Sequence, residues 1–452
     1  MASKGGLFGT NGIRGEVNVK LTPEFILNSS LAIATFLNGN KTVIVGRDTR
    51  NSGTFVSNIL KGALLSAGNH VYDAGIVPTP ALQLAVKNHA DFGIMVTASH
   101  NPPIYNGIKC IDGDGTELED EKENEIERIF NEKSFKLKEW SEIGRYDNIT
   151  GVNHNYVFNV YNNINKEIIN KNLKIVVDCS NGAGSLTTPE FLDSINIKFT
   201  SINCNIDGNF PAHDPEPKEE NLKELIRITK GYYDFGAAHD GDADRIVFVD
   251  DEGNFIAGDK ILGLFTKNIT DRRNGIVVIP VTVSKMVEEI AMKNGSKVLY
   301  TKVGAPIVAR TMMKVNAIFG GEDNGGLIFP EMQYARDGLM GLAKMIELIS
   351  ERKSKLSDLI KELPEYYQKK GSFKIPQGKS SEIMKIIERD FEKNTIKIDG
   401  IKIIEGDSWV LIRPSGTEPL IRLYAESKSR DDLENIFKKY SDLIENIIKE
   451  IQ

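Results

Sequence analysis

Cysteine is scarce: 452 residues contain only Cys110, Cys179 and Cys204, an odd number with no CxxC spacing. That excludes a disulfide framework and a cysteine zinc site, and leaves three reduced thiols. No apolar run approaches a membrane span, and the opening Met1–Gly6 lacks the apolar core of a signal peptide. A cytoplasmic protein is expected, so the Asn-x-Ser/Thr triplets at Asn28, Asn148 and Asn268 carry no glycosylation role. Positive charge is not in excess: 56 basic residues face 63 acidic ones, a net charge of −7. This argues against a general nucleic-acid surface while leaving room for a local basic pocket. No short-period repeat indicates a solenoid.

The chain is too long for one hydrophobic core and should divide into three or four domains. Strand-like apolar runs alternate with helical patterns, which indicates α/β domains with largely parallel sheets. Three times such a strand delivers a polar, glycine-marked loop. Phe92–Val96 leads to Thr97-Ala98-Ser99-His100-Asn101-Pro102, Asp234–Ala238 leads to His239–Arg245, and Ala317–Phe319 leads to Gly320–Gly326. Ligands in open α/β sheets bind at such carboxyl ends of strands. A strand at Leu173–Asp178 runs into Ser180-Asn181-Gly182-Ala183-Gly184, but a dinucleotide fingerprint needs a third glycine that is missing, so a tight turn feeding a helix is expected. After about Leu363 the elements become shorter and α+β in character, with Asp399-Gly400 as a hairpin turn and a closing amphipathic helix over Asp431–Ile448.

Asp240, Asp242 and Asp244 alternate within five residues. Their carboxylates would repel one another without a cation, and hard oxygen ligands suit Mg²⁺. The bland alternative is a solvated acidic turn; an EF-hand fails because Arg245 stands where that loop needs a glycine. Asp112-Gly113-Asp114-Gly115 offers only two carboxylates and reads as a hairpin turn. Arg413, Ser415, Gly416, Thr417 and Arg422 have the makings of a phosphate cradle: guanidinium forks, hydroxyls and freed backbone amides. The plainer reading is a surface turn with salt-bridged arginines. Glu322 and Asn324 on a glycine frame suit sugar hydroxyls, though glycine-rich acidic turns are common. By itself Thr97–Pro102 is an ordinary turn. Beside a metal triad, a polyol loop and a remote phosphate clamp, Ser99 becomes a phosphoryl carrier, because phosphoryl transfer is mostly positioning and charge neutralisation.

In that order these motifs, with Phe8–Gly15 before them, closely resemble the α-D-phosphohexomutase family over essentially the whole chain. The resemblance implies four domains around a central cleft: three similar mixed α/β sheet domains and a C-terminal α+β domain like the TATA-box-binding protein. The expected boundaries are 1–148, 149–252, 253–366 and 367–452. It further implies a phosphorylated Ser99 that gives its phosphoryl group to a hexose monophosphate, with a 1,6-bisphosphate intermediate that also serves as activator. One Mg²⁺ per chain would be held by Ser99, Asp240, Asp242 and Asp244, with Arg245 beside it. His100 and Lys109 would handle the hydroxyl proton and Arg14 would support the first-domain end of the cleft. Lys302, Gly304, Glu322 and Asn324 would bind the sugar, and Arg413, Ser415, Gly416, Thr417 and Arg422 the non-reacting phosphate. Asn324-Gly325-Gly326 stands where many bacterial relatives have Ser-Gly-His, and Ala305-Pro306 follows Lys302-Val303-Gly304 where several have a polar residue. This resembles archaeal members and leaves glucose, mannose and glucosamine phosphates open. A sugar phosphatase or a non-catalytic sugar-phosphate-binding relative are the alternatives. A monomer or homodimer is expected, with a hinge near Leu363–Ser372.

Overall fold

The computed structural model describes residues 6–9, 12–391, 395–415 and 419–451. Among these residues the strands form four sheets. The first has six strands and centres on Thr42–Arg47, which pairs in parallel with His70–Ile76 and with Phe92–Val96. Phe92–Val96 in turn pairs antiparallel with Tyr105–Asp112. The sheet is mixed, as the resemblance implies, with its parallel pairs on one side of Phe92–Val96: the chain leaves Phe92–Val96, forms the serine loop and returns antiparallel beside the same strand. Phe92–Val96 is buried along its whole length, as its unbroken apolar run requires.

The second sheet carries Phe235–His239 and Ile246–Asp250 as an antiparallel hairpin, with His239 opposite Ile246. The three aspartates thus occupy the hairpin loop itself. Lys174–Asp178 flanks this hairpin in parallel, and Ser180–Gly184 continues into a 3₁₀ turn over Ala183–Leu186. The third sheet brings Phe319–Gly321 beside Ile276–Pro280. The fourth, with five strands, is antiparallel throughout and includes Tyr367–Lys374, Ser408–Pro414 and Leu420–Ser427. A helix over Arg430–Ile451 covers it, burying Leu433, Ile436, Tyr440, Ile444 and Ile447 at helical spacing. This fourth sheet also packs against the third unit, where Trp409 and Leu411 form one buried cluster with Val281.

Candidate functional site

The serine and metal loops meet because small residues let their backbones touch. A Cβ on Gly241 would lie 2.7 Å from the Ser99 carbonyl oxygen, and one on Gly182 would lie 2.5 Å from the Gly241 carbonyl. Ser99 adopts a left-handed backbone with φ +53° and is fully buried. Its Oγ donates to Asp240 Oδ2 at 2.7 Å. Residues 141 positions apart are thereby joined at the expected nucleophile.

Carboxylate oxygens of Asp240, Asp242 and Asp244 lie within 4.8 Å of one another, all three residues buried. Lys109, itself buried on the strand Tyr105–Asp112, places Nζ 2.8 Å from Asp242 Oδ2 and 3.2 Å from Asp244 Oδ2. Arg336 Nη2 lies 2.5 Å from Asp244 Oδ2, and Arg245 Nε lies 3.9 Å from Asp240 and 3.8 Å from Asp244. Thr79 Oγ1 donates to Asp242 Oδ2 at 2.6 Å. Burial and the charges of Asp242 and Asp244 push Asp240 well above the usual carboxylate range. Burial acts the same way on Asp242, but the Lys109 ammonium outweighs it and holds that carboxyl low. The donor set fits a hard divalent cation: three buried carboxylates converge, and Oδ1 of Asp242 and of Asp244 have no hydrogen-bond partner among the described residues.

His100 is largely buried, and burial together with Arg245 and Arg14 lowers its imidazole to about 2, so it is neutral at pH 7. Its Nδ1 has no hydrogen-bond partner among the described residues, and neither do Arg14 Nε and Nη2, Arg413 Nε or Arg245 Nε, whose aspartate neighbours lie beyond hydrogen-bond distance. Among the described residues the Arg14 side chain makes one hydrogen bond, from Nη1 to Asn101 Oδ1 at 3.3 Å. Buried guanidinium nitrogens without acceptors are a demand for an anion.

A cavity of about 610 Å³ runs beside the metal loop. Its lining includes Arg245, Val303, Asn324, Lys370, Arg413 and Arg422, so parts of three sheets enclose it. Arg413 and Arg422 lie opposite each other on neighbouring antiparallel strands, which brings both side chains to one face of the sheet. Arg413 Nη2 is 3.1 Å from Asp399 Oδ2, which also accepts the Val303 N–H at 3.2 Å. Ser415 donates its N–H to the Leu420 carbonyl at 2.8 Å. Gly416 and Thr417 lie outside the described residues.

Glu322 is buried rather than open to the cavity. Its Oε1 accepts the Gly304 N–H at 3.2 Å and its Oε2 accepts from Arg336 Nη1 at 3.0 Å. Gly304 has φ +138°, and Lys302, two residues before it, is exposed. Residues without an assigned role in the sequence also converge here. Arg336 joins the metal loop to Glu322, and Gly338 approaches so closely that a Cβ would lie 2.7 Å from the Arg245 carbonyl. Lys370 pairs with Asp323 at 3.3 Å on the cavity wall. The Arg336-Asp337-Gly338 triplet carried no sequence signal comparable to the aspartate alternation or the arginine-rich loop.

Profiles of the phosphoglucomutase/phosphomannomutase family match in order along the chain: alpha/beta/alpha domain I over residues 5–137, domain II over 154–253, domain III over 257–367, and the C-terminal domain over 349–443. The chain belongs to this family. A phosphoglucomutase/phosphomannomutase of Thermococcus kodakarensis is 43% identical over 98% of this chain and 100% of its own. A phosphoglucosamine/phosphogalactosamine mutase of Sulfurisphaera tokodaii is 41% identical, covering 98% and 99%. Among solved structures, a phosphoglucomutase/phosphomannomutase family protein of Burkholderia thailandensis superposes with a TM-score of 0.87 at 26% identity, covering 97% of each chain. No helix among the described residues is long and apolar enough to cross a membrane.

Proposed function

We propose that the protein is a Mg²⁺-dependent phosphohexomutase that interconverts hexose or hexosamine 1-phosphates and 6-phosphates through a phosphorylated Ser99 and a 1,6-bisphosphate. The observation that carries this reading is the pairing of Ser99 Oγ with Asp240 at 2.7 Å, next to a cavity lined by Arg245 of the aspartate loop and by Arg413 and Arg422 of the fourth sheet. A cavity that draws guanidinium groups from two separate parts of the chain suits a ligand with two phosphates better than one with a single phosphate. Asp240, Asp242 and Asp244 would hold Mg²⁺, whose charge would offset that of the phosphoryl oxygens during transfer.

The residues divide the work as follows. The Ser99 Oγ–phosphorus bond breaks as a sugar hydroxyl oxygen bonds to phosphorus; the electron pair of the broken bond stays on Ser99 Oγ, and the hydroxyl proton leaves to a neutral base and is the proton that Oγ finally takes up. His100 suits that role, because burial and two guanidinium groups keep it unprotonated and its Nδ1 has no competing partner among the described residues. Lys109 suits charge balance at the triad better than proton uptake, since Asp242 and Asp244 outweigh its burial and keep it protonated. Arg14 and Arg245 would steady the transferring group, while Arg413, Ser415, Gly416, Thr417 and Arg422 would hold the other phosphate. Asn324 faces the sugar space with Asp323 beside it; Glu322 would act through Gly304 and Arg336 unless the loop opens on the ligand.

Replacing Ser99 with alanine tests the proposal. With Mg²⁺ and glucose 1,6-bisphosphate present, isomerisation should fall by at least about 10⁴-fold, as for loss of a covalent nucleophile. Near wild-type turnover would refute it, and inorganic phosphate released faster than isomer would identify a phosphatase instead. The two relatives carry different sugar names, so parallel assays on glucose, mannose, glucosamine and N-acetylglucosamine 1-phosphates would define the preferred substrate.

A further inference from the structure

Arg50 does not line the cavity and is completely buried, yet every donor of its guanidinium is spent on the serine loop or its support. Nη1 donates to the carbonyls of Pro102 at 2.7 Å and Tyr105 at 3.0 Å. Nη2 donates to those of Ser99 at 2.8 Å and Asn101 at 2.6 Å. Nε, the fifth donor, goes to Asp48 Oδ2 at 3.0 Å. Asp48 in turn accepts the Arg50 backbone N–H at 2.9 Å and the Thr97 hydroxyl at 2.6 Å. Thr97 Oγ1 then accepts the Ser99 N–H at 2.8 Å. Ser99 is therefore gripped from both sides, through its N–H by Thr97 and through its carbonyl by Arg50. A serine stays left-handed when its surroundings over-determine the backbone in this way.

The same side chain faces the neighbouring sheet. Its guanidinium carbon sits 5.0 Å from the centre of the Phe210 ring, and Asn51 donates to Asn209 at 2.7 Å. A Cβ on Gly208 would stand 2.3 Å from the Thr49 carbonyl, and one on Gly241 would stand 3.6 Å from Phe210 Cζ. Phe210 thus lies between Arg50 and the metal loop.

We infer that Arg50 is the positioning residue of the phosphoryl-carrying serine. Its planar fork fixes the backbone from Ser99 to Tyr105, and its contact with Phe210 sets that loop in register with the aspartate loop. The inference rests on the phosphoserine reading proposed above. Lysine in its place has one nitrogen and cannot span four carbonyls.

The test uses full-length Arg50→Lys with Mg²⁺, glucose 1-phosphate and glucose 1,6-bisphosphate. It reads kcat, KM, the thermal midpoint, and the rate at which Ser99 acquires phosphate by intact mass. The expected result is a folded variant whose kcat and phosphorylation rate fall together by about 10²-fold, the effect of a misplacement near 1 Å, while KM stays within about threefold. Wild-type phosphorylation rates, or a raised KM with kcat unchanged, would overturn the inference. Should Arg50→Lys not fold, Thr97→Val replaces it: the variant keeps the shape but removes the hydroxyl between Ser99 and Asp48. A tenfold slower phosphorylation at unchanged KM is expected, and full retention overturns the inference. A wild-type protein that never takes up phosphate sinks the phosphoserine reading itself. An active wild type matched by Arg50→Lys sinks only the role of Arg50.

Discussion

Replacing Lys109 with methionine would decide whether that residue balances the aspartate triad or carries a proton. Methionine keeps the length of the side chain and removes the ammonium that lies 2.8 Å from Asp242 and 3.2 Å from Asp244. All three residues are buried, so the change leaves carboxylates short of a counter-charge in a site that water does not reach. Breaking a buried pair from one side costs about 3–5 kcal/mol. At roughly 2–4 °C per kcal/mol for a unit of this size, the first thermal transition without Mg²⁺ should drop by roughly 10 °C. Mg²⁺ should return much of that loss, because a divalent ion among the same carboxylates supplies the missing charge. The variant should also bind Mg²⁺ at least about tenfold more tightly than wild type, a difference of about 1.4 kcal/mol. Differential scanning fluorimetry across a Mg²⁺ titration gives both quantities, since ligand stabilisation follows the ratio of free ligand to Kd. If Lys109→Met loses the same stability with and without Mg²⁺ and binds the ion no more tightly, Lys109 is not the counter-ion of the triad.

Further outcomes follow from the same geometry. Gly241→Ala would place a methyl group 2.7 Å from the Ser99 carbonyl. The loops must separate, so turnover should fall by about 10²-fold with about 1–3 kcal/mol lost in stability by denaturant titration. Asp399→Asn weakens the hold on Arg413, which lines the cavity where the proposal seats the non-reacting phosphate. By the worth of a partly exposed ion pair, KM for the sugar phosphate should fall by up to about fivefold, and a rise in KM would contradict competition between Asp399 and phosphate. Lys402 lies over the Trp409 ring at 3.9 Å and donates to the Val281 carbonyl at 3.0 Å. Burial lowers its ammonium to about 8 from an unfolded value near 10.5. Between those values the unfolded chain holds more protons than the folded one, so stability should rise with pH there. Measured against Lys402→Met, the wild type should gain stability from pH 8 to pH 10 and show no such trend from pH 6 to pH 7.

How much of this was legible in the sequence depends on the range of each signal. The strand Phe92–Val96 has the extent its apolar run predicts, and the helix over Arg430–Ile451 extends the amphipathic pattern by a few residues. The serine, aspartate and arginine motifs stand at strand ends, where continuous apolar runs give way to glycine and polar residues. These are local properties, written in neighbouring side chains. The mixed first sheet was not local, because Phe92–Val96 and Tyr105–Asp112 each look alike in either direction of pairing.

Sequence by itself determined which chemical groups the protein owns, their order, and the family whose pattern they resemble. Tertiary structure alone decided what each group touches. Ser99 reaches Asp240 across 141 positions, Lys109 reaches Asp242 across 133, and Arg336 reaches Asp244 across 92. Arg50 grips Ser99 through backbone carbonyls, which every residue has and no sequence pattern distinguishes. The physical reason is common to all four: periodicity and turn chemistry act over a few residues, whereas a buried charge or donor must find its partner wherever the packed chain brings one within hydrogen-bond distance.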